Sequence, residues 1–256
     1  MIKAIFFDAD GTLISHRQNA VPPSARAALG ELQRRGIRCI LATGRHITEV
    51  ECLPVGDIPF DGYVTVNGQL CLDENKHPLS DSPIAAEAMP AIIRHFREKK
   101  VPLVLKEQDR IYVNCVTDRL RATQADISTA VPDLGEYSGK PIYQAVYYIP
   151  QEEDGMLAEL APYCYMTRWH KNGIDLLDRQ GGKVRGIREY LERRGILPEE
   201  TMAFGDGDND IEMLRFAGIG VAMGNASDAV KAQADYVTAS VDKDGIALAL
   251  QHFGLI

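Results

Sequence analysis

The sequence lacks long apolar segments. No run in its 256 residues approaches the ~20 consecutive apolar residues of a membrane-spanning helix, so we expect no membrane association. The apolar beginning, Met1–Phe7, is shorter than the apolar core of a signal peptide and is followed at once by Asp8. We therefore expect a cytoplasmic protein.

Paired cysteines and basic clusters are also missing. The five cysteines form no Cys-x-x-Cys motif and their number is odd, which predicts reduced thiols. The formal net charge is −8 and no block of lysine or arginine stands out, so we expect no nucleic-acid partner. The overall charge does not exclude a small anionic substrate, because a local site can carry the opposite sign. The sequence leaves the oligomeric state open.

No internal repeat or low-complexity tract is present, and the first part of the chain alternates between two kinds of segment. Short apolar segments predict strands, and longer segments bounded by proline or glycine predict helices. In chain order these are a strand at Lys3–Phe7, a helix at Ser24–Arg35, a strand at Ile37–Ala42, a short helix at His46–Cys52 and a strand at Tyr63–Val66. This order is typical of a parallel sheet with helices on its faces.

The alternation stops near residue 82 and returns at Lys183. The block between contains two hairpin patterns and predicts a smaller α+β unit. The predicted elements after it are helices at Lys183–Arg194, Asp208–Phe216, Ala226–Ala234 and Asp244–Phe253, and strands at Thr201–Phe204 and Ile219–Ala222. We therefore predict an α/β fold, in which residues 1–82 and 181–256 form a Rossmann-like, doubly wound parallel sheet and residues 83–180 are an inserted smaller α+β domain.

Two aspartates follow the first predicted strand directly. Asp8 and Asp10 stand in the segment FFDADGTL, at the carboxyl end of that strand. Ligands bind at this edge in open α/β sheets, and Gly11 permits a tight turn in which the backbone approaches a ligand. A turn without any further role is the alternative explanation for the pair.

A second acidic cluster, GDGDND, occupies Gly205–Asp210 and follows another predicted strand. The two strand ends would bring carboxylates to one edge of the sheet, where their mutual repulsion must be neutralised. Oxygen ligands of this kind suit a hard cation such as Mg²⁺. Considered alone, the late cluster is better explained as the start of a helix with Asp208 as its N-cap.

Between the acidic clusters lie two groups suited to an anion. The tripeptide Thr43-Gly44-Arg45 follows the second predicted strand, so the Thr43 hydroxyl and the next backbone N–H groups point toward the same edge. Lys183 begins a predicted helix, where its charge opposes the helix dipole, which indicates another purpose. Considered alone, Thr43 is better explained as a loop residue, and a solvated surface lysine explains Lys183 equally well. The combination is far more specific than any single member.

These residues together make the chain resemble the haloacid dehalogenase (HAD) superfamily, whose four motifs appear in order. The matching segments are Asp8–Thr12, Thr43, Lys183 and Gly205–Asp210. The segments LATGR at 41–45, VNGQ at 66–69 and GDGDND are similar to those of the Cof-type branch. In that branch a C2-type cap domain is inserted between the second and third motifs, as the predicted domain order has it here.

The resemblance implies a Mg²⁺-dependent phosphatase that hydrolyses small phosphate monoesters, often sugar phosphates. It implies that Asp8 attacks phosphorus to form an aspartyl-phosphate, while Asp10 protonates the leaving alcohol and then activates water. It further implies that Mg²⁺ is held by the Asp8 side chain, the Asp10 carbonyl and Asp206. The implied phosphate- and substrate-binding residues are Thr43, Gly44, Arg45, Lys183 and Asn209. Asp210 would orient Lys183 or a metal-bound water.

Other functions compete with this hypothesis. A phosphomutase of the same superfamily would need the same aspartyl-phosphate, and the motifs alone do not separate the two. A receiver-type phospho-acceptor module is a remote alternative, because Asn67-Gly68 after the third strand offers no acid. A silent binding protein is disfavoured because no motif position is lost. In the inserted block, we interpret Trp169 and His170 as packing or exposed residues rather than substrate contacts.

Overall fold

The computed structural model describes residues 1–127 and 129–256. These residues form thirteen strands and eight α-helices, joined by turns and short 3₁₀ segments. The strands are β1 Ala4–Phe7, β2 Arg38–Ala42, β3 Gly62–Thr65, β4 Leu70–Asp73, β5 Pro78–Asp81, β6 Leu103–Lys106, β7 Ile111–Val113, β8 Gln144–Tyr147, β9 Cys164–His170, β10 Gly173–Asp178, β11 Thr201–Gly205, β12 Ile219–Ala222 and β13 Tyr236–Val237. The helices are α1 Pro23–Arg34, α2 Ile47–Val50, α3 Met89–Glu98, α4 Asp118–Asp126, α5 Lys183–Arg194, α6 Ile211–Phe216, α7 Asp228–Lys231 and α8 Gly245–His252.

The chain divides into two compact units. Unit 1 consists of Met1–Asp81 and Gly182–Ile256, and unit 2 consists of Ser82–Gly181. The polypeptide therefore leaves unit 1 after β5, forms unit 2, and returns to unit 1 just before α5. Each unit has its own sheet and its own apolar clusters.

Unit 1 is built on an eight-stranded sheet in the order β13-β12-β11-β1-β2-β3-β4-β5. The strands from β13 to β3 are parallel, whereas β4 and β5 add an antiparallel edge. Strand β1 lies at the centre and is fully buried, because its residues pack alternately into the apolar cores on the two faces. The predicted α/β fold with a doubly wound, mainly parallel sheet is confirmed.

The two faces of this sheet are covered by different helices. One core combines Ile5 and Phe7 of β1 with apolar residues of α1 and α8, such as Leu29 and Leu250. The opposite core combines Phe6 with residues of α5 and α6. The apolar side chains of α1 recur with helical spacing, and Pro23 at its first position supplies a backbone angle suited to a helix start.

The register of the parallel strands brings three loops to one edge of the sheet. Phe7 of β1 pairs with Leu41 of β2 and with Phe204 of β11. The chain therefore leaves these three strands at nearly the same level, and Asp8 begins the first of the three loops. This edge is the carboxyl end of the parallel strands, where open α/β sheets bind ligands.

Unit 2 contains a five-stranded antiparallel sheet in the order β7-β6-β8-β10-β9. Helix α3 and a 3₁₀ segment at Gln151–Leu160 contribute to the core on one face, and α4 contributes Leu120 to a smaller cluster that includes Val146 of β8. In this unit Trp169 is partly exposed, and its indole N–H donates to the Asp175 carboxylate at 2.8 Å.

Some helices differ from the sequence-based prediction. The segment expected as one helix from Asp208 begins with a 3₁₀ turn at Asp208–Asp210, and α6 starts only at Ile211. Asp208 is therefore not the N-cap. Gly207 precedes the turn, and the N–H of Gly207 donates to the Asp210 carboxylate. Among the residues that the structure describes, no helix combines the length and apolar character that crossing a membrane requires.

Candidate active site

Lys183 is the centre of the group of polar residues at the carboxyl edge of unit 1. Its ammonium donates to Asp8 Oδ1 at 2.5 Å, to Asp210 Oδ1 at 2.6 Å and to the carbonyl of Ala42 at 2.8 Å. The side chain is 1% exposed, so the solvated surface lysine is ruled out. These three acceptors use all three ammonium hydrogens and join β1, β2 and the loop after β11.

The charge of Lys183 is stabilised by its two carboxylate partners. Burial acts to lower the pKa of the ammonium, but attraction by Asp210 and Asp8 outweighs it and raises the pKa above its ordinary value. A buried ion pair is costly to break, since the remaining charge has no compensation. The contacts therefore fix Lys183 as a permanent cation beside Asp8.

Asp210 orients Lys183 from the other side. Its Oδ1 accepts from Lys183, and its Oδ2 accepts from the backbone N–H groups of Asp206 and Gly207, each at 3.0 Å. The residue is 1% exposed. Because three donors already occupy this carboxylate, the geometry favours an orienting role over direct reaction.

Asp206 is held at both of its oxygens. The Thr12 hydroxyl donates to Oδ1 at 2.8 Å, and the Asn225 amide donates to Oδ2 at 3.1 Å. The same Asn225 amide donates to the carbonyl of Gly11 at 2.9 Å. Gly11 has φ +83°, and a Cβ there would lie 2.2 Å from Asp206 Oδ2, so a side chain at this position would collide with the carboxylate.

Three carboxylates meet in this region and could hold a metal ion. One oxygen from each of Asp8, Asp206 and Asp210 lies within 4.8 Å of the others. Burial and then repulsion by Asp210 raise the pKa of Asp8 well above its ordinary value, although Lys183 opposes the shift. Burial also raises the pKa of Asp206 to about 6. The single Lys183 cation therefore leaves negative charge uncompensated, and an all-oxygen donor set fits a hard divalent cation.

Asp10 faces a different partner. Both of its carboxylate oxygens accept from the Arg45 guanidinium, with N–O distances of 3.0 Å. Burial acts to lower the pKa of Arg45, but its hydrogen bonds and attraction to Asp10 raise the pKa above the usual range. Such a two-point pair fixes the direction of the Asp10 carboxylate. In this arrangement Arg45 orients Asp10, a role that the sequence did not indicate.

The remaining expected residues lie on the neighbouring loops. Thr43 is 1% exposed, and its hydroxyl accepts from the Arg45 N–H at 3.1 Å, which closes a tight turn around Gly44. Asn209 is exposed, and its side-chain amide donates to Asn67 Oδ1 at 3.1 Å. The structure thus places Asp8, Lys183, Asp206 and Asp210 in one hydrogen-bonded group with Thr12 and Asn225.

Sequence reasoning missed Asn225 and Asn67 as parts of this region. Asn225 lies in the segment GIGVAMGNASDAVKAQADYVT, which resembles the Cof-type branch, but neither helix nor strand periodicity marks an individual asparagine. Its contacts connect three segments that are distant in sequence, since its Oδ1 also accepts from the Val241 N–H at 3.0 Å. Only the tertiary structure brings these segments together.

Comparisons with known proteins agree with this architecture. A family model described as haloacid dehalogenase-like hydrolase matches residues 5–250. The Bacillus subtilis protein YkrA, named a candidate phosphatase, is 34% identical over 258 residues, which cover 99% of this chain and 98% of that protein. A solved phosphatase of the haloalkanoate (HAD) superfamily from Bacteroides thetaiotaomicron is 32% identical with TM-score 0.89, covering 100% of this chain and 96% of that one.

A second similar structure has a more specific name. A sugar phosphatase of HAD subclass IIB is 36% identical with TM-score 0.87, covering 99% of this chain and all of that one. Fold, carboxylate site and relatives together define a hydrolase of phosphate esters on an open α/β sheet. The chain belongs to the haloacid dehalogenase-like hydrolases, as a Cof-type phosphatase of that superfamily.

Proposed function

We propose that this phosphatase hydrolyses small phosphate monoesters, sugar phosphates among them, with Mg²⁺ and through a phosphorylated Asp8. The observation that carries the proposal is the buried Lys183 between Asp8 and Asp210, at the strand edge where the carboxylate of Asp206 also lies. A lysine in this position compensates charge when an anionic nucleophile meets an anionic phosphate.

Asp8 is the proposed nucleophile. One of its oxygens forms a bond to phosphorus while the bond from phosphorus to the ester oxygen breaks, which gives an aspartyl-phosphate and an alkoxide. Asp10, two residues on, gives its proton to that alkoxide. Water then attacks phosphorus, Asp10 takes a proton from this water, and Asp8 leaves as a carboxylate. Before substrate binds, Arg45 holds the Asp10 carboxylate through two hydrogen bonds, and Asp10 separates from Arg45 and takes up a proton before it acts as the acid.

The neighbouring residues bind the phosphoryl oxygens. We assign this role to Thr43, Gly44 and Asn209, joined by Arg45 when it separates from Asp10. Lys183 contributes through its charge, because its three ammonium hydrogens already have acceptors. The proposed metal ligands are Asp8, the Asp10 carbonyl and Asp206, because Asp210 is already occupied by three donors. A bound Mg²⁺ supplies positive charge that offsets repulsion between nucleophile and phosphate.

Unit 2 is the proposed source of substrate selectivity. The HAD subclass IIB relative is named a sugar phosphatase, which supports sugar phosphates as the first substrates to test. Small phosphorylated metabolites are the proposed partners, and neither nucleic acid nor a membrane is required.

The test is a panel of phosphate monoesters offered to the purified protein in Mg²⁺, with released inorganic phosphate measured. We expect hydrolysis of several small esters, including hexose phosphates. A hexose 1-phosphate as substrate distinguishes a phosphatase from a phosphomutase. The phosphatase releases free phosphate, whereas the phosphomutase returns an isomeric ester. If none of the esters in the panel releases phosphate, the proposal is wrong.

A further inference from the structure

The segment Val66-Asn67-Gly68 has an unusual backbone. Its three residues have φ values of +53°, +51° and +88°, so all lie in the left-handed region. For a β-branched valine this conformation is strained. Strained backbone of this kind persists only where surrounding contacts over-determine it, and it clusters at functional sites.

The contacts of this turn reach the Thr43-Gly44-Arg45 loop. The Val66 N–H donates to the carbonyl of Arg45, and the Asn67 N–H donates to the carbonyl of Thr43, both at 3.0 Å. These two carbonyls stand on either side of Gly44. A Cβ on Gly44 would lie 3.0 Å from Asn67 Oδ1, so the loop packs directly on the asparagine side chain.

Asn67 also contacts the two other loops of the site. Its carbonyl accepts from the N–H of Gly182, the residue before Lys183, at 3.1 Å. Its Oδ1 accepts from the Asn209 amide at 3.1 Å. The residue is 6% exposed. Gly68 permits this approach, because a Cβ there would lie 2.2 Å from the Gly182 carbonyl oxygen.

We propose that Asn67 is a positioning residue that holds the Thr43, Lys183 and Asn209 loops at the spacing required by the transferring phosphoryl group. This inference rests on the phosphatase function proposed above. The backbone of Asn67 fixes two of the loops, and its side chain fixes Asn209. An amide nitrogen carries two hydrogens, so the bond to Asn67 directs the second hydrogen of Asn209 along a defined line toward the anion.

The test uses Asn67→Gly in the full-length protein. Glycine adopts the left-handed conformation, so the backbone bonds remain and only the side chain is lost. With p-nitrophenyl phosphate we expect KM to rise about tenfold, as loss of one charge-assisted hydrogen bond implies. The inhibition constant of inorganic phosphate should rise equally. The Mg²⁺ concentration for half-maximal activity should stay unchanged, because Asn67 bonds to none of the clustered carboxylates.

Two further variants make the result decisive. Asn209 is exposed, so Asn209→Ala should fold and reproduce the weaker phosphate binding, and adding Asn67→Gly to it should cause little further loss. Lys76→Gly is the matched control, since Lys76 is also left-handed (φ +63°) and lies in an exposed hairpin of unit 1; its kinetics should equal wild type.

Each contrary result is informative. Wild-type KM and phosphate inhibition in Asn67→Gly would overturn the inference, and so would a fully multiplicative loss in the double variant. A parallel change in melting temperature, Mg²⁺ requirement and KM would show a merely structural residue. If the wild type hydrolyses no ester, the function fails, yet calorimetric binding of inorganic phosphate in Mg²⁺ still tests Asn67 separately.

Discussion

At the scale of single residues, the central feature is a shortage of positive charge among buried carboxylates. Asp8, Asp206 and Asp210 approach one another closely, and in the part of the chain that the structure describes Lys183 is the cation that forms ion pairs with this group. Burial first, and then repulsion by Asp210, raise the pKa of Asp8 and of Asp206. A group of this kind is unfavourable for a structural role alone and suits a site that binds cations and anions.

Asp8→Asn should abolish turnover while preserving the fold. The amide oxygen can still accept from Lys183, but an amide is not a nucleophile toward phosphorus. We expect the rate with p-nitrophenyl phosphate to fall by about 10³-fold or more. The melting temperature without metal should stay equal or rise, because one of the repelling charges is gone. Turnover at the wild-type rate would exclude Asp8 as the nucleophile.

Asp10→Ala should affect poor leaving groups most. An alkoxide needs a proton as it departs, whereas p-nitrophenolate leaves readily without one. We expect the rate with an alkyl phosphate to fall by about 10²- to 10⁴-fold, and the rate with p-nitrophenyl phosphate to fall much less. The ratio of the two rates is the measurement. Equal losses for both esters would contradict an acid–base role for Asp10.

The binding of Mg²⁺ should depend on pH through Asp206. Its pKa is raised to about 6, so below that pH the carboxyl holds a proton that a cation must displace. Lowering the pH from about 7.5 to about 5 should therefore weaken apparent Mg²⁺ affinity by about tenfold. Calorimetric titration across this range measures it. Asp206→Asn is the control and should bind Mg²⁺ weakly at both values; an affinity that does not change with pH in the wild type would contradict the assignment.

At the scale of secondary-structure elements, short turns rather than regular helices position the site. Asp208–Asp210 forms a 3₁₀ turn because the Asp210 carboxylate accepts from two backbone N–H groups at its start. Helix α4 escaped prediction because its sequence, DRLRATQAD, has few apolar residues, and burial of Leu120 in unit 2 stabilises it instead. Local periodicity does not report contacts of either kind.

Two glycine substitutions should have opposite effects. Gly11→Ala places a Cβ at a positive φ and against Asp206, so we expect a loss of about 1–3 kcal/mol in stability and weaker Mg²⁺ binding. Gly30→Ala lies within α1, where a Cβ meets no atom within 4 Å, and should stabilise by about 0.5–1 kcal/mol. Chemical denaturation measures both changes. A stable Gly11→Ala variant with normal Mg²⁺ affinity would contradict the close approach.

At the scale of the whole molecule, the chain joins an α/β unit to a compact inserted unit. All proposed catalytic and metal-binding residues belong to unit 1, although they come from both of its chain segments. Unit 1 therefore cannot complete its site until Gly182–Ile256 has joined Met1–Asp81. This arrangement leaves unit 2 free to vary in sequence without disturbing the carboxylate–lysine group.

Removal of divalent cations should silence the enzyme and lower its stability. After exhaustive chelation we expect no release of phosphate, and added Mg²⁺ should restore it, because the carboxylates then regain a compensating charge. Mg²⁺ at about 100 times its dissociation constant should also stabilise the folded chain by about 2.7 kcal/mol. Thermal unfolding and phosphate release measure the two effects. Activity that survives chelation would contradict the proposed metal requirement.

The sequence alone determined the α/β class, the strand order along the chain and the family. These depend on apolar periodicity and on motifs that stand directly after strands, such as Asp8 after β1, and both are local properties of the chain. It also indicated that Lys183 is unusual, because a cation at a helix start opposes the dipole.

Only the tertiary structure decided which polar groups touch. Lys183 and Asp8 are 175 positions apart, Asn225 and Gly11 are 214 apart, and Asn67 and Asn209 are 142 apart. No local pattern encodes such pairs, because they follow from the register of β1 between β2 and β11 and from the tight turns after these strands. The physical reason is that hydrogen bonds act over about 3 Å in space, regardless of separation along the chain.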